Sequence, residues 1–392
     1  MWPLDGVRVV ALEHAIAAPF CTRQLADLGA RVIKIERPGT GDFARAYDER
    51  VRGLSSHFVW CNRSKESVTL DLKHQEAGRI LQGLLERADV VVQNLAPGAA
   101  RRFGLDYASL EDRYPRLIVC DISGYGADGP YRDKKAYDLL IQGESGFLSV
   151  TGSEAAPAKA GPSIADIAGG MYAFTNILAA LIRCSRTGRG CHIDVSLLEC
   201  MAEWMSFPLY YSFDGAAPPS RNDASHATIY PYGEFAISDG KCVMLGVQNE
   251  REWVSFCTNV LRLPDVARDE RFASNSKRAA NRDALKSLIE TVFAKLTPDE
   301  ITQRLNGAGI ANGELKDMHE VWKHVQLQAR GRWTDIETPA GRVPALFPPG
   351  QSPDSGAPMG AVPALGEHTD RVLGELGYDA AAIARLRADA VV

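Results

Sequence analysis

The feature that most restricts the fold is an alternation of short apolar strands with helices along the first half of the chain. Residues 7–12 are apolar, a helix is predicted from Pro19 to residue 28 with Gly29 as its end, and residues 31–36 form a second strand. A proline suits a helix start and a glycine suits the position just past a helix end. Such a strand–helix–strand unit predicts a parallel sheet, and hence an α/β fold.

Later segments continue the pattern and predict a doubly wound sheet. Residues 70–73 (LDLK) are expected to close a short strand, and residues 89–93 and 116–122 form two more. Ligands bind outside the carboxyl ends of strands in such sheets. Asn94 follows one strand directly, so Asn94, Arg102 and the loop between them are a candidate site, with a helix-surface charge as the alternative for Arg102.

The loop after the first strand, residues 13–18 (EHAIAA), has no G-x-G-x-x-G pattern, so no dinucleotide-binding turn is predicted. Arg37 directly follows the second strand. It is either a solvated charge at the end of a strand or an anion clamp, since a guanidinium suits phosphate. The sequence leaves both interpretations of Arg37 open.

A change of character near residue 213 predicts a second domain. Residues 213–225 are rich in Pro, Gly, Ala, Ser and Asp, which is typical of a linker. From residue 226 the pattern alternates around Asp239 and Gly240, which predicts a β-hairpin. The expected boundaries are a large domain of residues 1–212 and 332–392, a smaller α+β domain of residues 226–331, and linkers at 213–225 and 332–363.

Composition excludes several classes of protein. The chain has 392 residues, 24% charged, and a net charge of −5, so it lacks the basic footprint of a nucleic-acid-binding protein. Its eight cysteines form no C-x-x-C pair or zinc-type cluster, and no metal site is predicted. No apolar run reaches the roughly 18 residues that span a bilayer, and the first residues lack the features of a signal peptide. We therefore expect a cytoplasmic protein with no membrane partner.

Asp166 is the candidate for chemistry, because it lies in a small and apolar stretch, AGPSIADIAGGMYAF (160–174). A carboxylate in such surroundings has a raised pKa or needs a partner. Asp166 is either the N-cap of a helix or a nucleophile at a helix start in a partly dry pocket. Gly169 and Gly170 allow another backbone or a ligand to approach closely. The G-x-S-x-G, Walker A and H-E-x-x-H patterns are missing from the sequence, which leaves carboxylate-based chemistry.

Six blocks resemble the class III CoA-transferase family, also called the CaiB/BaiF or formyl-CoA transferase family. They are LGARVIKIERPGTGDFAR (28–45), SVTLDLK (67–73), VVQNLAPGAARRFGLDY (91–107), ADIAGGMYA (165–173), TGRGCHIDVSLLE (187–199) and PALGEHTDRVLGELG (363–377). They span nearly the whole chain in the family's order. The resemblance implies a Rossmann-like large domain built from both chain ends, a smaller domain, and a homodimer whose subunits interlock like rings.

The resemblance also implies the site residues. Asp166 matches the family's catalytic aspartate, and the turn of Ala15, Ile16 and Ala17 matches the loop whose backbone contacts CoA and the acyl oxygen. The positions that match CoA contacts of the family are Arg37, Leu70, Asp71, Leu72, Lys73, Asn94, Arg102, Lys135 and Tyr137. Coenzyme A then enters as a thioester substrate, with a carboxylic acid as its partner, and no permanently bound cofactor is expected.

The implied reaction is a two-step acyl transfer. Asp166 takes the acyl group from the thioester as a mixed anhydride, and the CoA thiolate returns to give an aspartyl-CoA thioester. An acceptor carboxylate then reverses the sequence. Backbone donors of the turn stabilise the oxyanions, and exclusion of water protects the anhydride.

Two departures from the family pattern narrow the substrate. LGVQNE (245–250) stands where formyl-CoA transferases carry a run of glycines, which argues against formyl-CoA and oxalate. Tyr137 stands where the related α-methylacyl-CoA racemases carry a catalytic histidine, which favours transfer over racemisation. The block HATIYPYG (226–233) and two later stretches resemble the branch acting on C4–C5 dicarboxylates, such as succinyl-, mesaconyl-, itaconyl- and citramalyl-CoA. Candidates for holding the second carboxylate are His14, His226, Arg221 and Tyr230, with ordinary loop structure as the alternative for each.

Two other functions stay open at this point. One is an isomerase on the same scaffold, either a racemase or an enzyme that moves CoA between the C1 and C4 carboxyls of one dicarboxylate. The other is a CoA-binding module without catalysis, in which Asp166→Ala would change no activity.

Overall fold

The computed structural model describes residues 1–351, 356 and 358–392 of the chain. The strands in this part of the chain are β1 (Arg8–Leu12), β2 (Arg31–Glu36), β3 (Lys65–Thr69), β4 (Val90–Gln93), β5 (Ile118–Ser123), β6 (Cys191–Ser196), β7 (Tyr232–Ala236), β8 (Cys242–Gly246), β9 (Ala311–Glu314), β10 (Trp333–Ile336) and β11 (Val343–Leu346). The α-helices are α1 (Ala17–Asp27), α2 (Ser56–Asn62), α3 (Ala77–Leu85), α4 (Ala99–Arg102), α5 (Tyr107–Leu110), α6 (Asp138–Glu144), α7 (Phe147–Val150), α8 (Ile164–Thr187), α9 (Leu197–Trp204), α10 (Ser206–Tyr211), α11 (Glu250–Ser255), α12 (Asn275–Ala280), α13 (Arg282–Phe293), α14 (Pro298–Gly307), α15 (Met318–Trp322), α16 (Val325–Ala329), α17 (Thr369–Glu375) and α18 (Ala380–Ala388).

Strands β1 to β6 form one parallel sheet in the order β3-β2-β1-β4-β5-β6. This confirms the predicted α/β class and parallel sheet. The chain moves to one side of β1 through β2 and β3, and then to the other side through β4, β5 and β6. Such a reversal opens a crevice at the carboxyl ends of the two central strands, where ligands bind in sheets of this kind. The loop after β1 and Asn94 after β4 both lie there.

The strands are apolar because both faces of the sheet are covered. Successive side chains alternate between faces, so Val10 and Leu12 share one face of β1. They pack there with Ile80 and Leu84 of α3 and with Leu373 of α17 in a single core cluster. Helices α1 and α8 pack on each other, and α8 also packs on β5 and β6.

Two predicted boundaries differ from the structure. Helix α1 begins at Ala17 rather than at Pro19, since a proline is tolerated throughout a first turn whose amides have no helical partner. Strand β3 ends at Thr69, so residues 70–73 follow the strand instead of closing it. The amide of Asp71 donates to the carbonyl of Val391 (2.7 Å), and its carboxylate accepts from the amide of Lys73 (3.1 Å), which forms a turn.

The chain divides into two compact units. The first comprises residues 1–146, 160–205 and 325–392, and the second comprises residues 147–159 and 206–324. Compared with the predicted domains, this division assigns residues 147–159 and 206–212 and the predicted linker 213–225 to the second unit, and it begins the return to the first unit at Val325 rather than at residue 332.

The second unit contains the antiparallel sheet β7-β8-β9. Strands β7 and β8 are joined through residues 238–240, which confirms the predicted hairpin. The core of this unit lies around Phe235, Leu245, Trp253, Phe256 and Phe293.

The C-terminal segment belongs to the first unit and pairs with its sheet edge. The amide of Thr69 donates to the hydroxyl of Thr369 (3.0 Å), and the amide of His368 donates to the carbonyl of Ser67 (2.9 Å). The predicted linker 332–363 is not only loop, because β10 and β11 form an antiparallel hairpin that packs against Phe58. Residues 352–355 and 357 of that linker lie outside the described residues.

Helix α8 is long and apolar enough to cross a membrane, by length and composition alone, although no such run was expected from the sequence. It is the one helix of this kind among the described residues, and a single such helix is weak evidence of a membrane span. A helix that packs on α1 and on the sheet, as α8 does, has the same composition because it contributes to a core.

Candidate active site

The turn after β1 is held in a fixed shape by side chains from two other loops. The amide of His14 donates to Asn94 Oδ1 (2.9 Å), and Asn94 Nδ2 donates back to the carbonyl of His14 (2.9 Å). Ala15 has a left-handed backbone with φ of 61°, which is uncommon for a residue with a Cβ. Its amide donates to Asp42 Oδ1 (3.1 Å). Such a strained residue persists only where its surroundings impose it.

Beneath this turn lies a buried charge cluster, formed by Glu13, Lys34, Asp42 and Lys65. All four residues are at most 3% exposed. Lys34 Nζ contacts Asp42 Oδ2 (2.8 Å), and Lys65 Nζ contacts Glu13 Oε1 (2.7 Å). Burial lowers the pKa of Lys65 to about 8, with Glu13 opposing that shift. Burial also disfavours charged Lys34, but the carboxylates of Glu13 and Asp42 outweigh it and raise the pKa of Lys34.

The first amides of α1 are free of protein partners. The amides of His14 and Ala15 are occupied by Asn94 and Asp42, but no acceptor among the described residues takes the amides of Ile16 or Ala17. The start of a helix carries unpaired N–H groups and partial positive charge, which suit an anion or a developing oxyanion.

Asp166 lies in the first turn of α8, whose N-cap is Ser163. The N-cap interpretation of Asp166 is therefore wrong, because the cap lies three residues earlier. Close packing brings the start of α8 to the start of α1. A Cβ on Gly170 would lie 2.7 Å from the carbonyl oxygen of Ala17 and 2.9 Å from Phe20. Gly170 thus admits the backbone of α1, one of the two uses predicted for it.

Asp138, from α6, supplies the acceptor that the start of α8 needs. Its Oδ1 accepts from the amide of Ala165 (2.8 Å) and, at 3.4 Å, from that of Asp166. Its Oδ2 accepts from the amide group of Gln142 (2.7 Å), whose own oxygen accepts from the amide of Ala160 (2.9 Å). Because Gln142 is fully buried, this chain of hydrogen bonds fixes α6, the loop before α8 and the first turn of α8 together.

The electrostatic setting of Asp166 is unusual for a carboxylate. Burial raises its pKa to about 7, and the nearby negative charge of Asp138 adds to the rise. A carboxyl group whose pKa lies near neutral pH is ionised in a large fraction of molecules there, while it is less solvated and more basic than an ordinary aspartate. These properties favour a nucleophile or a general base.

Tyr47 is a site residue that the sequence analysis missed. Tyr47 is 46% exposed, but partial burial raises its pKa to about 12, with added contributions from Asp42, Asp166 and Tyr137. Its ring packs against Phe43 and, edge-on, against His57. Phe43 in turn stacks on His14, with ring centroids 5.4 Å apart. The only signal in the sequence was an aromatic residue shortly after the R-P-G-T-G-D loop.

The predicted CoA-contact positions fall into two groups. Arg37, Lys73, Arg102, Lys135 and Tyr137 are exposed. Arg37, Lys73 and Asn94 follow β2, β3 and β4, which lie in one parallel sheet, so they share its carboxyl edge. Leu70 is a core residue, Leu72 packs on the same core, and the polar groups of Asp71 hold the turn described above. The side chain of Asn94 is taken up by His14.

Three of the four residues proposed for a second carboxylate lie in the second unit, where each has a structural partner. His226 Nδ1 accepts from the amides of Thr228 and Ile229, and its ring stacks on Tyr232. Arg221 donates to the carbonyl of Ser153. Tyr230 is 2% exposed and belongs to the core of that unit. Only His14 lies at the turn, where burial lowers its pKa and leaves its Nδ1 without a partner among the described residues.

Comparison with known proteins identifies the family. The model of "CoA-transferase family III" matches residues 4–369 of this chain. The chain belongs to the family III CoA-transferases. This confirms the family inferred from the six sequence blocks, and with it a CoA-transferase enzyme.

Several relatives of this CoA-transferase carry names that specify dicarboxylates. The chain is 35% identical over 387 residues to succinate–glutarate CoA-transferase of Agrobacterium fabrum, covering 95% of this chain and 96% of that protein. It is 31% identical over 393 residues to succinyl-CoA:mesaconate CoA-transferase of Haloarcula hispanica, covering 96% of this chain and 97% of that protein. Its fold resembles the crystal structure of a CaiB/BaiF family protein from Brucella suis, with a TM-score of 0.83, 35% identity, and coverage of 96% of this chain and 99% of that one.

Among residues 1–351, 356 and 358–392, no three His, Cys, Asp or Glu side chains are grouped so that they could hold a metal ion.

Substituting Gly170 tests the approach of α1 to α8. We expect Gly170→Ala to lower the free energy of unfolding by about 1–3 kcal/mol and to reduce turnover, because the added methyl group meets backbone and pushes the two helix starts apart. Urea unfolding and steady-state kinetics measure both effects. The control is Gly78→Ala in α3, where the added methyl group meets nothing within 4 Å. The free energy of unfolding of that variant should rise by up to about 1 kcal/mol. Equal changes in stability and turnover in the two variants would contradict the packing argument.

Proposed function

We propose that this family III CoA-transferase moves CoA between a C4–C5 dicarboxylyl-CoA and a free dicarboxylate, with Asp166 as the covalent relay. The observation that carries the proposal is a carboxylate of raised pKa in the first turn of α8, close-packed against a helix start with unpaired amides. A reactive carboxylate and free oxyanion donors are what acyl transfer through an anhydride requires.

In the first step, a carboxylate oxygen of Asp166 attacks the thioester carbonyl carbon. The carbonyl oxygen takes negative charge, which the amides of Ile16 and Ala17 stabilise. The C–S bond then breaks, CoA leaves as a thiolate, and the acyl group remains on Asp166 as a mixed anhydride. Removal of one oxyanion donor typically lowers turnover by about 10²–10³-fold, so these amides contribute a large part of the rate.

In the second step, the thiolate attacks the Cγ carbonyl of Asp166. The first acid leaves as a carboxylate, and Asp166 becomes a CoA thioester. The acceptor carboxylate then attacks the same Cγ and releases the thiolate, which attacks the acceptor carbonyl of the new anhydride. The products are the new acyl-CoA and a free Asp166 carboxylate, with no net gain or loss of a proton.

Substrate class and assembly are parts of the same proposal. The relatives named for glutarate and mesaconate support dicarboxylates, and His14 is our candidate for a hydrogen bond to the second carboxylate. The strand order supports a Rossmann-like first unit. We propose the interlocked homodimer on family resemblance, and location in the cytoplasm stays a prediction.

An acceptor panel tests the substrate. The enzyme is incubated with succinyl-CoA and, separately, with glutarate, mesaconate, malate, citramalate, itaconate or oxalate, and the CoA esters are measured by mass spectrometry. We expect transfer to at least one C4–C5 dicarboxylate and none to oxalate. Transfer to oxalate alone would overturn the substrate class. Deuterium uptake at the α-carbon of an acyl-CoA, or an isomerised CoA ester with no acceptor present, would instead indicate an isomerase.

Hydroxylamine tests the covalent relay. Added during turnover with succinyl-CoA, it should convert the activated carboxyl of Asp166 to a hydroxamate, which peptide mass spectrometry locates. A hydroxamate on any other carboxylate, with Asp166 unmodified, would assign the nucleophile elsewhere.

A further inference from the structure

We propose that Asp42 is a positioning residue for acyl transfer, because it fixes Ala15 in its left-handed conformation and so directs the amides of Ile16 and Ala17 toward the acyl oxygen. The inference rests on the proposed function, in which those two amides stabilise the oxyanion. It corrects one detail of the expected donor set, since the amide of Ala15 is already bonded to Asp42 (3.1 Å) and is not available to a substrate.

The strain at Ala15 needs a compensating contact. A non-glycine residue in the left-handed region costs about 1–2 kcal/mol, and without a partner the turn would relax to another conformation. Asp42 Oδ1 accepts both from the amide of Ala15 and from the amide of Ala44 (2.9 Å). Asp42 is 1% exposed, so water cannot replace it as acceptor.

The buried charge cluster makes Asp42 a rigid acceptor. Its Oδ2 is held by Lys34 Nζ (2.8 Å), and its own amide donates to Glu36 Oε2 (3.0 Å). Lys34 also donates to the carbonyl of Glu13 (3.3 Å), the residue just before His14. Both ends of the turn are thereby tied to Lys34, one directly and the other through Asp42. Loss of either contact of Lys34 is therefore expected to displace the amides of Ile16 and Ala17.

Asp42→Asn is the variant that separates positioning from folding. Asparagine keeps an oxygen for Ala15, but it loses the ion pair that orients this oxygen. We expect kcat to fall about 10- to 100-fold, which is less than complete loss of an oxyanion donor, while the dissociation constant for free CoA changes less than about twofold. The amides of Ile16 and Ala17 act on the acyl oxygen in this proposal, so binding of the nucleotide part of CoA should not respond to the substitution.

Asp27→Asn is the matched control. Asp27 is also 1% exposed and ion-paired, with Arg63 and Arg23, but it lies at the opposite end of α1. The Asp27→Asn substitution should lower the free energy of unfolding and leave kcat of the folded enzyme within about twofold of wild type. Equal kcat values for the Asp42→Asn and Asp27→Asn variants, or a parallel loss of CoA affinity in Asp42→Asn, would overturn the proposal.

A measurement on the wild type covers the case in which Asp42→Asn does not fold. Amide exchange of the ¹⁵N-alanine-labelled enzyme should be slow at Ala15 and fast at Ala17, with Ala17 slowed by succinyl-CoA in the Asp166→Asn background. Fast exchange at Ala15 would remove the basis of the proposal. Activity of the wild type and its loss in Asp166→Asn are measured first, so that failure of the proposed function is recognised separately.

Discussion

Replacing Asp166 by asparagine is expected to abolish acyl transfer and, at the same time, to make the folded protein more stable at pH 8. An amide oxygen does not attack a thioester to give an anhydride, so kcat should fall by at least about 10⁴-fold, the scale seen when a covalent nucleophile is lost. Because Asp166 contacts the reacting atoms in the proposed mechanism, no residual pathway replaces it.

The gain in stability follows from the raised pKa. Burial raises the pKa of Asp166 to about 7, above its ordinary value of 3.8, so the folded state favours the protonated form. The stability linked to this protonation is fully present below pH 3.8 and is lost as the pH rises through 7. At pH 8 the folded protein therefore carries the cost of a partly buried charge, which asparagine removes. We expect Asp166→Asn to raise the free energy of unfolding by an amount on the order of 2 kcal/mol at pH 8, and by less at pH 5, where more of the carboxyl is protonated. The effect is smaller than the full pKa shift would give because part of the carboxyl remains accessible to water.

Urea unfolding at both pH values and steady-state kinetics measure these effects. The control is Asp299→Asn, an exposed acid in the first turn of α14, where the substitution removes a favourable charge near the helix start. That variant should keep full activity, and its free energy of unfolding should fall by a few tenths of a kcal/mol. If Asp166→Asn is active, or is less stable than wild type at pH 8, then Asp166 is not a partly buried catalytic carboxylate.

The second large effect is a pH dependence of kcat/KM that reports the ionisation of Asp166 in the free enzyme. Only the carboxylate is nucleophilic, so kcat/KM should rise about tenfold for each pH unit below 7 and level off above it. Asp138→Asn keeps an oxygen for the amide of Ala165 but removes the neighbouring negative charge, so the midpoint should move to lower pH. It should stay above 3.8, because burial, the larger cause of the rise, remains.

His14 provides the control for this profile. It is the histidine at the turn, and burial lowers its pKa, which favours the neutral imidazole. We expect His14→Asn to change the height of the profile but not its midpoint. A midpoint that shifts with His14 and not with Asp138 would assign the titrating group to the imidazole.

Local sequence was sufficient for much of the fold. The apolar runs of β1, β4 and β5 and the glycine at residue 29 define elements through neighbours in the chain, and the parallel sheet follows from their alternation. Asp166 was also recognisable, because a single acid among alanines, isoleucines and glycines is rare enough to indicate a special environment.

The charged residues of the site were not recognisable in the same way. Lys34 and Glu36 alternate with apolar residues in β2, as solvent-facing side chains of a strand would, yet both are buried. Tyr47, Asp138 and Asp42 carry no local signal for their positions. Asp138 accepts from Ala165 and Asp42 accepts from Ala15, each across a separation of 27 residues, and Asp166, which affects the pKa of Tyr47, is also distant in the sequence.

The sequence by itself determined the α/β class, the family and the identity of the lone acid, since each depends on residues that are adjacent or ordered along the chain. The tertiary structure decided which amides are occupied, which carboxylate faces Asp166, and which charges are buried. Burying a charge is favourable only when a partner of opposite sign or a set of donors meets it, and those partners come from other strands and loops. Hydrophobic periodicity reports the side of an element that faces the core, but it contains no information about such pairings.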